Sequence, residues 1–148
     1  MSLSVKIATI LPYKENYTFQ KAQAAAIWVC DFFKYSKFKN TNFIFGNTKG
    51  NDYLTKNYIN ISINNLKSKF SSSTSEYCKN FIKKTKKDNF DIIEIHNRPL
   101  VFNYLKKEID SKYILYFHND PLSMNGSKSI NERLKLLDEL DKIIFVSK

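Results

Sequence analysis

Lys112-Tyr-Ile-Leu-Tyr-Phe-His-Asn-Asp-Pro121 is an apolar strand that runs straight into a polar cluster, His118-Asn119-Asp120, and is then turned by a proline. The same design occurs once earlier, where Asp91-Ile-Ile-Glu-Ile-His96 runs into Asn97-Arg98-Pro99. Both endings read His-Asn-x-Pro, and both are followed by sequence with a helical pattern. In an open parallel sheet the strands present their carboxyl ends along one crevice, and ligands bind there. The repeat therefore predicts two neighbouring strands whose polar tips form one site.

The rest of the chain supplies the alternation of strand and helix that a parallel sheet needs. Ser4 to Leu11 is mostly apolar, as a strand covered on both faces is. Thr18 to Ser36 turns helical, with Thr18 as the expected N-cap and Ala22, Ala26, Val29, Cys30 and Phe33 on one stripe. Trp28 lies off that stripe and is expected to cover a neighbouring loop. Asn42 to Phe45 reads as a second strand. Tyr58 to Ile63 alternates Ile59, Ile61 and Ile63 with polar residues, the period of a third. Asn64 to Thr74 is the candidate mobile loop. Ser75 to Lys87 forms a basic amphipathic helix, with Tyr77, Cys78, Phe81 and Ile82 inward and Lys79, Lys83, Lys84, Lys86 and Lys87 outward.

Pro99 sits where a first helical residue does without its N–H, and the helix it opens turns Val101, Leu105 and Ile109 inward as far as Asp110. Ser129-Ile-Asn-Glu132 is a capping box, and Ile130, Leu134, Leu137 and Leu140 are the expected buried stripe of the helix behind it. Lys142 to Ser147 is a last strand. The expectation is an α/β, three-layer Rossmann-like domain with a mostly parallel sheet of about six strands, spanning residues 1–148 as a single unit. Because the last strand is flush with Lys148, the unit reads as one domain of a longer polypeptide.

Composition narrows the class. At 148 residues and 43% hydrophobic, the chain can bury a core of ordinary size. No apolar run reaches membrane-spanning length, and the N-terminus lacks the pattern of a signal peptide. Cys30 and Cys78 each lie in helical apolar context, consistent with reduced core thiols and a cytoplasmic location. Of the 24 basic residues only Arg98 and Arg133 are arginine, within a formal charge of +10. Genomic AT bias produces such a lysine- and asparagine-rich chain, and so does an anionic partner such as a membrane surface or nucleic acid.

The motif search excludes more than it finds. The chain has neither the G-x-x-x-x-G-K-[ST] phosphate loop nor the G-x-G-x-x-G fingerprint, and its three glycines are scattered. It has no G-x-S-x-G elbow and no zinc-finger spacing. His96, His118 and Asp120 are conceivable metal ligands, but strand-end histidines more often hydrogen-bond nearby loops, and no metal or cofactor is expected. His118 reads either as a residue tying down its own turn or as a hydrogen-bonding, proton-handling group oriented by Asp120. His96, Asn97, Arg98 and Asn119 share the crevice. Arg98 suits bidentate contact with a carboxylate or phosphate, or is simply a surface residue at a helix start. Lys14, Glu15, Asn16 and Tyr17, the loop after the first strand, face the same crevice at the switch point.

Taken in order, these segments resemble the N-terminal half of a family 4 glycosyltransferase. The resemblance rests on Leu11-Pro12-Tyr13-Lys14-Glu15-Asn16-Tyr17 with the alanine-rich helix and on the strand ends Ile95-His96-Asn97-Arg98-Pro99 and Phe117-His118-Asn119-Asp120-Pro121. It extends to the Ser129 to Leu140 helix and to Ile144-Phe145-Val146-Ser147. It implies a GT-B enzyme of two facing Rossmann-like domains. Such an enzyme performs a retaining, metal-independent transfer from a nucleotide-sugar donor to a glycan or lipid-linked acceptor, as in polysaccharide biosynthesis. It further implies that this half binds mainly acceptor and that His118 is the catalytic-site residue holding the donor sugar. Lys14, Glu15, Asn16, Tyr17, His96, Asn97, Arg98, Asn119 and Asp120 are the expected substrate-binding residues. The donor is bound mainly by a second domain carrying an E-x7-E carboxylate pair, a spacing no two glutamates here have, so this half is expected to be inactive alone. The glycine pair many members carry after the first strand is missing; Gln23 and Ala24 lie in the nearby helix. The lysine-rich helix is the expected contact with an anionic inner membrane face, making the protein peripheral, with no nucleic acid expected. The alternatives are a basic Rossmann-like module binding nucleic acid or another ligand, and half of a GT-B sugar-nucleotide epimerase.

Overall fold

The computed structural model describes residues 4–63 and 72–146. Every side chain of Ile7–Ile10 (β1) is buried, as expected of a central strand covered on both faces. Around it lie Asn42–Gly46 (β2), Tyr58–Asn60 (β3), Ile92–His96 (β4), Lys112–Phe117 (β5) and Lys142–Phe145 (β6). The six form one sheet in the order β3-β2-β1-β4-β5-β6, and every pairing is parallel. The strand order reverses at β1, which has β2 on one side and β4 on the other, so a Rossmann-like switch point lies at the carboxyl ends of β1 and β4. The sheet is thus wholly parallel, where the pattern alone predicts a mostly parallel one.

Among the described residues four α-helices cover the two faces. Ala24–Tyr35 (α1) packs Ala26, Val29 and Cys30 against Leu11 and Ile44 on one face. Ser73–Lys84 (α2), Pro99–Leu105 (α3) and Ile130–Glu139 (α4) contribute Cys78, Phe81, Val101, Phe102, Leu105 and Leu136 to the larger core on the other. Both cysteines are buried free thiols, and burial pushes the Cys78 thiol up to about 12, so it is inert in the fold. Among the described residues no helix is long and apolar enough to cross a membrane.

Several boundaries differ from the sequence pattern for identifiable reasons. The first helix starts at Ala24, not Thr18, because the loop before it is held elsewhere: Thr18 bridges to Tyr53, and its carbonyl accepts from the N–H groups of Lys21 and Ala22. The N-cap position falls on Gln23, whose side chain makes no capping bond. Glu15 reaches in from the loop after β1 instead and accepts from the Ala26 N–H at 3.1 Å. Helix α2 begins two residues earlier than expected, capped by the Ser72 hydroxyl, and ends at Lys84, where the Thr85 hydroxyl donates to the Phe81 carbonyl at 2.8 Å. Residues 64–71 of the expected mobile loop lie outside the described residues, and residues 73–74 of it are helical. Strand β3 stops at Asn60, α3 at Leu105 and β6 at Phe145, each shorter than its apolar pattern.

The capping box of α4 forms as the spacing requires: the Ser129 hydroxyl accepts from the Glu132 N–H and the Glu132 carboxylate from the Ser129 N–H. Its expected buried stripe is a correction. Ile130, Leu134 and Leu137 are 68%, 58% and 66% exposed, whereas Leu140, the fourth of the expected stripe, is half-buried against the core and Leu136, outside that stripe, is 2% exposed and joins it. The helix turns its three-residue apolar stripe away from the sheet, and no described element covers it.

Candidate functional site

The two echoing strands lie side by side in register, Glu94 opposite Ile114 and His96 opposite Tyr116. That register puts both histidines at the same edge of the sheet. His96 Nδ1 and His118 Nε2 stand 2.7 Å apart, a hydrogen bond that needs one N–H and one lone pair. The two rings therefore share a proton and cannot hold this contact when both are cationic. His96 is 1% exposed, and burial, with His118 beside it, holds it well below the usual histidine range; burial lowers the half-buried His118 too. Tyr116 stacks flat on His96 at 4.5 Å between centroids, and Trp28 of α1 sits edge-on to His118 at 5.3 Å. Trp28 thus packs over the histidine pair from the α1 face rather than covering a loop.

Asn97 ties the tips together. It adopts a left-handed backbone (φ 54°), a conformation that asparagine tolerates better than most residues. Its N–H donates to the Tyr116 carbonyl at 2.8 Å, and its side-chain oxygen accepts from the N–H groups of His118 at 2.7 Å and Asn119 at 3.4 Å. Arg98 is exposed and spends one guanidinium nitrogen on the Asn97 carbonyl at 2.8 Å. Asp120 is occupied locally: its carboxylate accepts from the Leu122 N–H and starts the 3-10 turn Pro121–Ser123. Beyond it, Gly126 (φ 93°) brings the loop so close to α3 that a Cβ there would lie 3.1 Å from Pro99 and Leu100 side-chain atoms.

The loop after β1 has a different set of contacts. Tyr17 is fully buried, stacks on Tyr58 at 4.9 Å and donates its N–H to the Thr48 hydroxyl. Asn16 accepts from the Lys49 N–H, Glu15 caps α1, and Lys14 is exposed at φ 70° with its ammonium over the Tyr13 ring. The hydrogen bonds of Glu15, Asn16 and Tyr17 run to the 48–55 segment and to α1. The structure thus brings His96, Asn97, Arg98, His118 and Asn119 together and gives Glu15, Asn16 and Tyr17 the work of holding the β1 loop.

Two concavities lie on this half of the sheet, one at the tips and one over the amino-terminal ends of the strands on the α1 face. A polar pocket of about 410 Å³ opens between the tips and the 123–128 loop, lined by Asn97, Arg98, Asn119, Asn125 and Lys128 with Thr74 of α2. On the α1 face a larger, apolar groove of about 710 Å³ runs between Trp28 and Phe32 and the sheet residues Ile92 and Ile114. Glu94 lies in that groove. Its two oxygens stand 2.8 Å from the Thr9 hydroxyl and 3.2 Å from the Tyr116 hydroxyl, while Thr9 is also 2.9 Å from the Asn42 side-chain oxygen. A hydroxyl has one hydrogen, so Thr9 cannot donate to both acceptors; the missing donor comes from a protonated Glu94 or from an Asn42 amide turned to present its N–H. Burial raises Glu94 above the usual carboxyl range in the same sense. Among the described residues no three His, Cys, Asp or Glu side chains converge to hold a metal ion.

Glu94→Gln should accordingly be mild in acidic solution, costing under about 1 kcal/mol where Glu94 carries its proton, because the amide keeps a donor and an acceptor in place. The fold retains a proton on Glu94 that the unfolded chain releases above about pH 4.3, so this residue's stabilising contribution is lost as pH rises from there through its folded value. Thermal midpoints measured across that range should fall less steeply in the variant than in the parent. Parallel curves would show that Glu94 is ionised in the fold.

Trp28, Tyr116, Glu94 and Lys128 were not legible as site residues from sequence. Of these only Glu94 carried a signal, a lone acid inside Ile92-Ile-Glu-Ile95. No family, curated protein or solved structure matches this chain in the three comparisons made.

Proposed function

We propose that this chain is the acceptor-side domain of a retaining GT-B glycosyltransferase that moves a sugar from a nucleotide-sugar to a glycan or lipid-linked acceptor. One observation carries the reading: two histidine-tipped parallel strands, hydrogen-bonded to each other at 2.7 Å, end beside the switch point of a wholly parallel sheet and next to an open polar pocket. Carboxyl-end crevices of such sheets are where ligands bind. Burial favours the neutral form of both imidazoles, aided at His96 by His118 beside it, so His118, the more exposed, offers a polar contact to a sugar hydroxyl with little cost of desolvating a cation. The order of segments that resembles the family 4 enzymes gives His118 the task of holding the donor sugar. The outward lysines Lys79, Lys83 and Lys84 of α2 suit an anionic membrane surface that carries the acceptor.

The test is made on the two-domain enzyme. His118→Ala should lower transfer on the order of 100-fold, the effect of a misplaced reacting group, with an unchanged far-UV spectrum and only the modest loss of stability, about 0.5–1.5 kcal/mol, that goes with the lost hydrogen bond to His96. Turnover equal to the parent's would leave His118 a purely structural role. A coding sequence whose second half lacks both a Rossmann-like pattern and the E-x7-E pair would remove the transferase reading altogether.

A further inference from the structure

We propose that the pocket between the strand tips and the 123–128 loop is a phosphate-binding site, and that the ligand it takes is a phosphorylated polyol or sugar. The first half stands on the pocket alone; that this ligand is the acceptor rests on the transferase reading above.

The lining residues are those of an anion site. Arg98 and Lys128 both face the pocket, and its lining among the described residues contains no aspartate or glutamate. Asp120, close by in sequence, has its carboxylate engaged by the Leu122 N–H, and Glu76 of α2 is buried. The ion pairs among the described residues are Lys6 with Asp88 and Lys34 with Asp31, so no described acid pairs with the side chain of Arg98 or Lys128; Glu132, beside Lys128, has its carboxylate on the backbone N–H groups of Gly126, Lys128 and Ser129. Two cations in one concavity without a counter-charge repel each other, and a bound oxyanion relieves that repulsion. The guanidinium of Arg98 has five donors, of which the Asn97 carbonyl takes one, and its remaining fork matches phosphate geometry.

The position of the cations is built in. Asn97 holds a left-handed backbone while its side-chain oxygen locks the His118 and Asn119 amides, fixing the point from which Arg98 projects. On the other side, Gly126 lets the loop carrying Asn125 and Lys128 lie against α3. The Asn97, Asn119 and Asn125 amides and the Thr74 hydroxyl supply neutral donors and acceptors suited to hydroxyl groups. At about 410 Å³ the pocket is larger than a phosphate needs and falls within the ~300–1,000 Å³ of small-molecule sites. The rest of the lining is mixed, Ser123 and the asparagine amides with Leu100 and Met124 between them, which suits the hydroxyl edges and the apolar face of a sugar or polyol ring.

The experiment titrates the 148-residue chain with inorganic phosphate, glucose 6-phosphate and glucose, following amide NMR shifts. A parallel arm measures co-sedimentation with phosphatidylinositol and phosphatidylcholine vesicles. Saturable shifts at Arg98, Asn119 and Lys128 are expected with phosphate and more tightly with glucose 6-phosphate, but not with glucose. The double variant Arg98→Gln, Lys128→Gln should weaken that binding about tenfold or more, whereas Lys39→Gln, Lys135→Gln, exposed lysines outside the pocket, should leave it unchanged. Vesicle binding that depends on Arg98 and Lys128 would assign the phosphate to a lipid headgroup; its absence alongside glucose 6-phosphate binding would assign a soluble ligand. Non-saturating shifts, or equal losses in both double variants, would overturn the site and leave only diffuse attraction to a basic surface. Phosphate binding as expected in a two-domain protein that transfers no sugar would keep the site and remove the transferase reading. Full transfer by the Arg98/Lys128 variant would do the reverse.

Discussion

Phe102→Ala is expected to destabilise the domain by about 3–5 kcal/mol, a large share of the ~5–15 kcal/mol that typically separates folded from unfolded states. Phe102 is fully buried on α3, and its ring meets the fully buried Tyr113 of β5 in a T-shaped contact at 5.3 Å. It belongs to the same core as Ile93 and Ile95 of β4 and Leu115 and Phe117 of β5, the strands whose tips carry the site. Truncation leaves a cavity under both strands that rigid neighbours fill only in part. Chemical denaturation should show the loss as a lower midpoint with an unchanged slope. A Phe102→Leu variant should recover much of it by refilling volume, and a loss below about 1 kcal/mol in the alanine variant would mean that this face repacks freely.

The second large effect is a pH dependence centred on His96. The folded chain keeps this buried imidazole neutral, whereas in the unfolded chain it takes up a proton below about pH 6.5. With its folded value lowered, its contribution is fully present above pH 6.5 and is lost as pH falls towards that folded value. The slope is at most about 1.4 kcal/mol per pH unit for one proton. His118, lowered by burial, adds to the slope in the same direction. His96→Phe keeps a buried ring on Tyr116 and removes the titrating group. The variant should lose the hydrogen bond to His118, cost about 0.5–1.5 kcal/mol at pH 8, and destabilise less steeply than the parent between about pH 6.5 and 4.5. Urea midpoints across that interval read the difference directly. Equal slopes would mean that the His96 side chain becomes protonated within the fold.

Glu94 works in the opposite sense. Its contribution declines as pH rises above the usual carboxyl value, whereas the contribution of His96 declines as pH falls below the usual histidine value. Both groups lie on one strand and both touch Tyr116, Glu94 through the phenol hydroxyl and His96 through the ring face. Glu94, Tyr116 and His96 thus form a polar network that runs from the apolar groove, which Glu94 lines, up to the strand tips beside the cationic pocket.

The sequence by itself determined the alternation of strands and helices, and with it a parallel sheet. Runs such as Ile7–Ile10 and Ile92–His96 are too continuously apolar for a one-sided sheet, and each returns to the same edge only through a crossover. It also determined the local signals that act within a few residues: Pro99 at a helix start, the Ser129–Glu132 capping box and the turn at Pro121. It placed the two His-Asn-x-Pro tips on one edge because an echo in a parallel sheet repeats in space. Only the tertiary structure decided which side of α4 meets the core, because three leucines and one isoleucine make more than one apolar stripe and the sheet selects among them. Only it showed that Phe102 as well as Val101 and Leu105 is buried, that Glu15 caps α1 across 11 positions of chain, and that Trp28 closes over the histidine pair. Those contacts join residues far apart in the chain or depend on which face a helix presents. Local periodicity carries no record of either, since both are fixed by the register of β4 on β5 and by the burial that the packed layers impose.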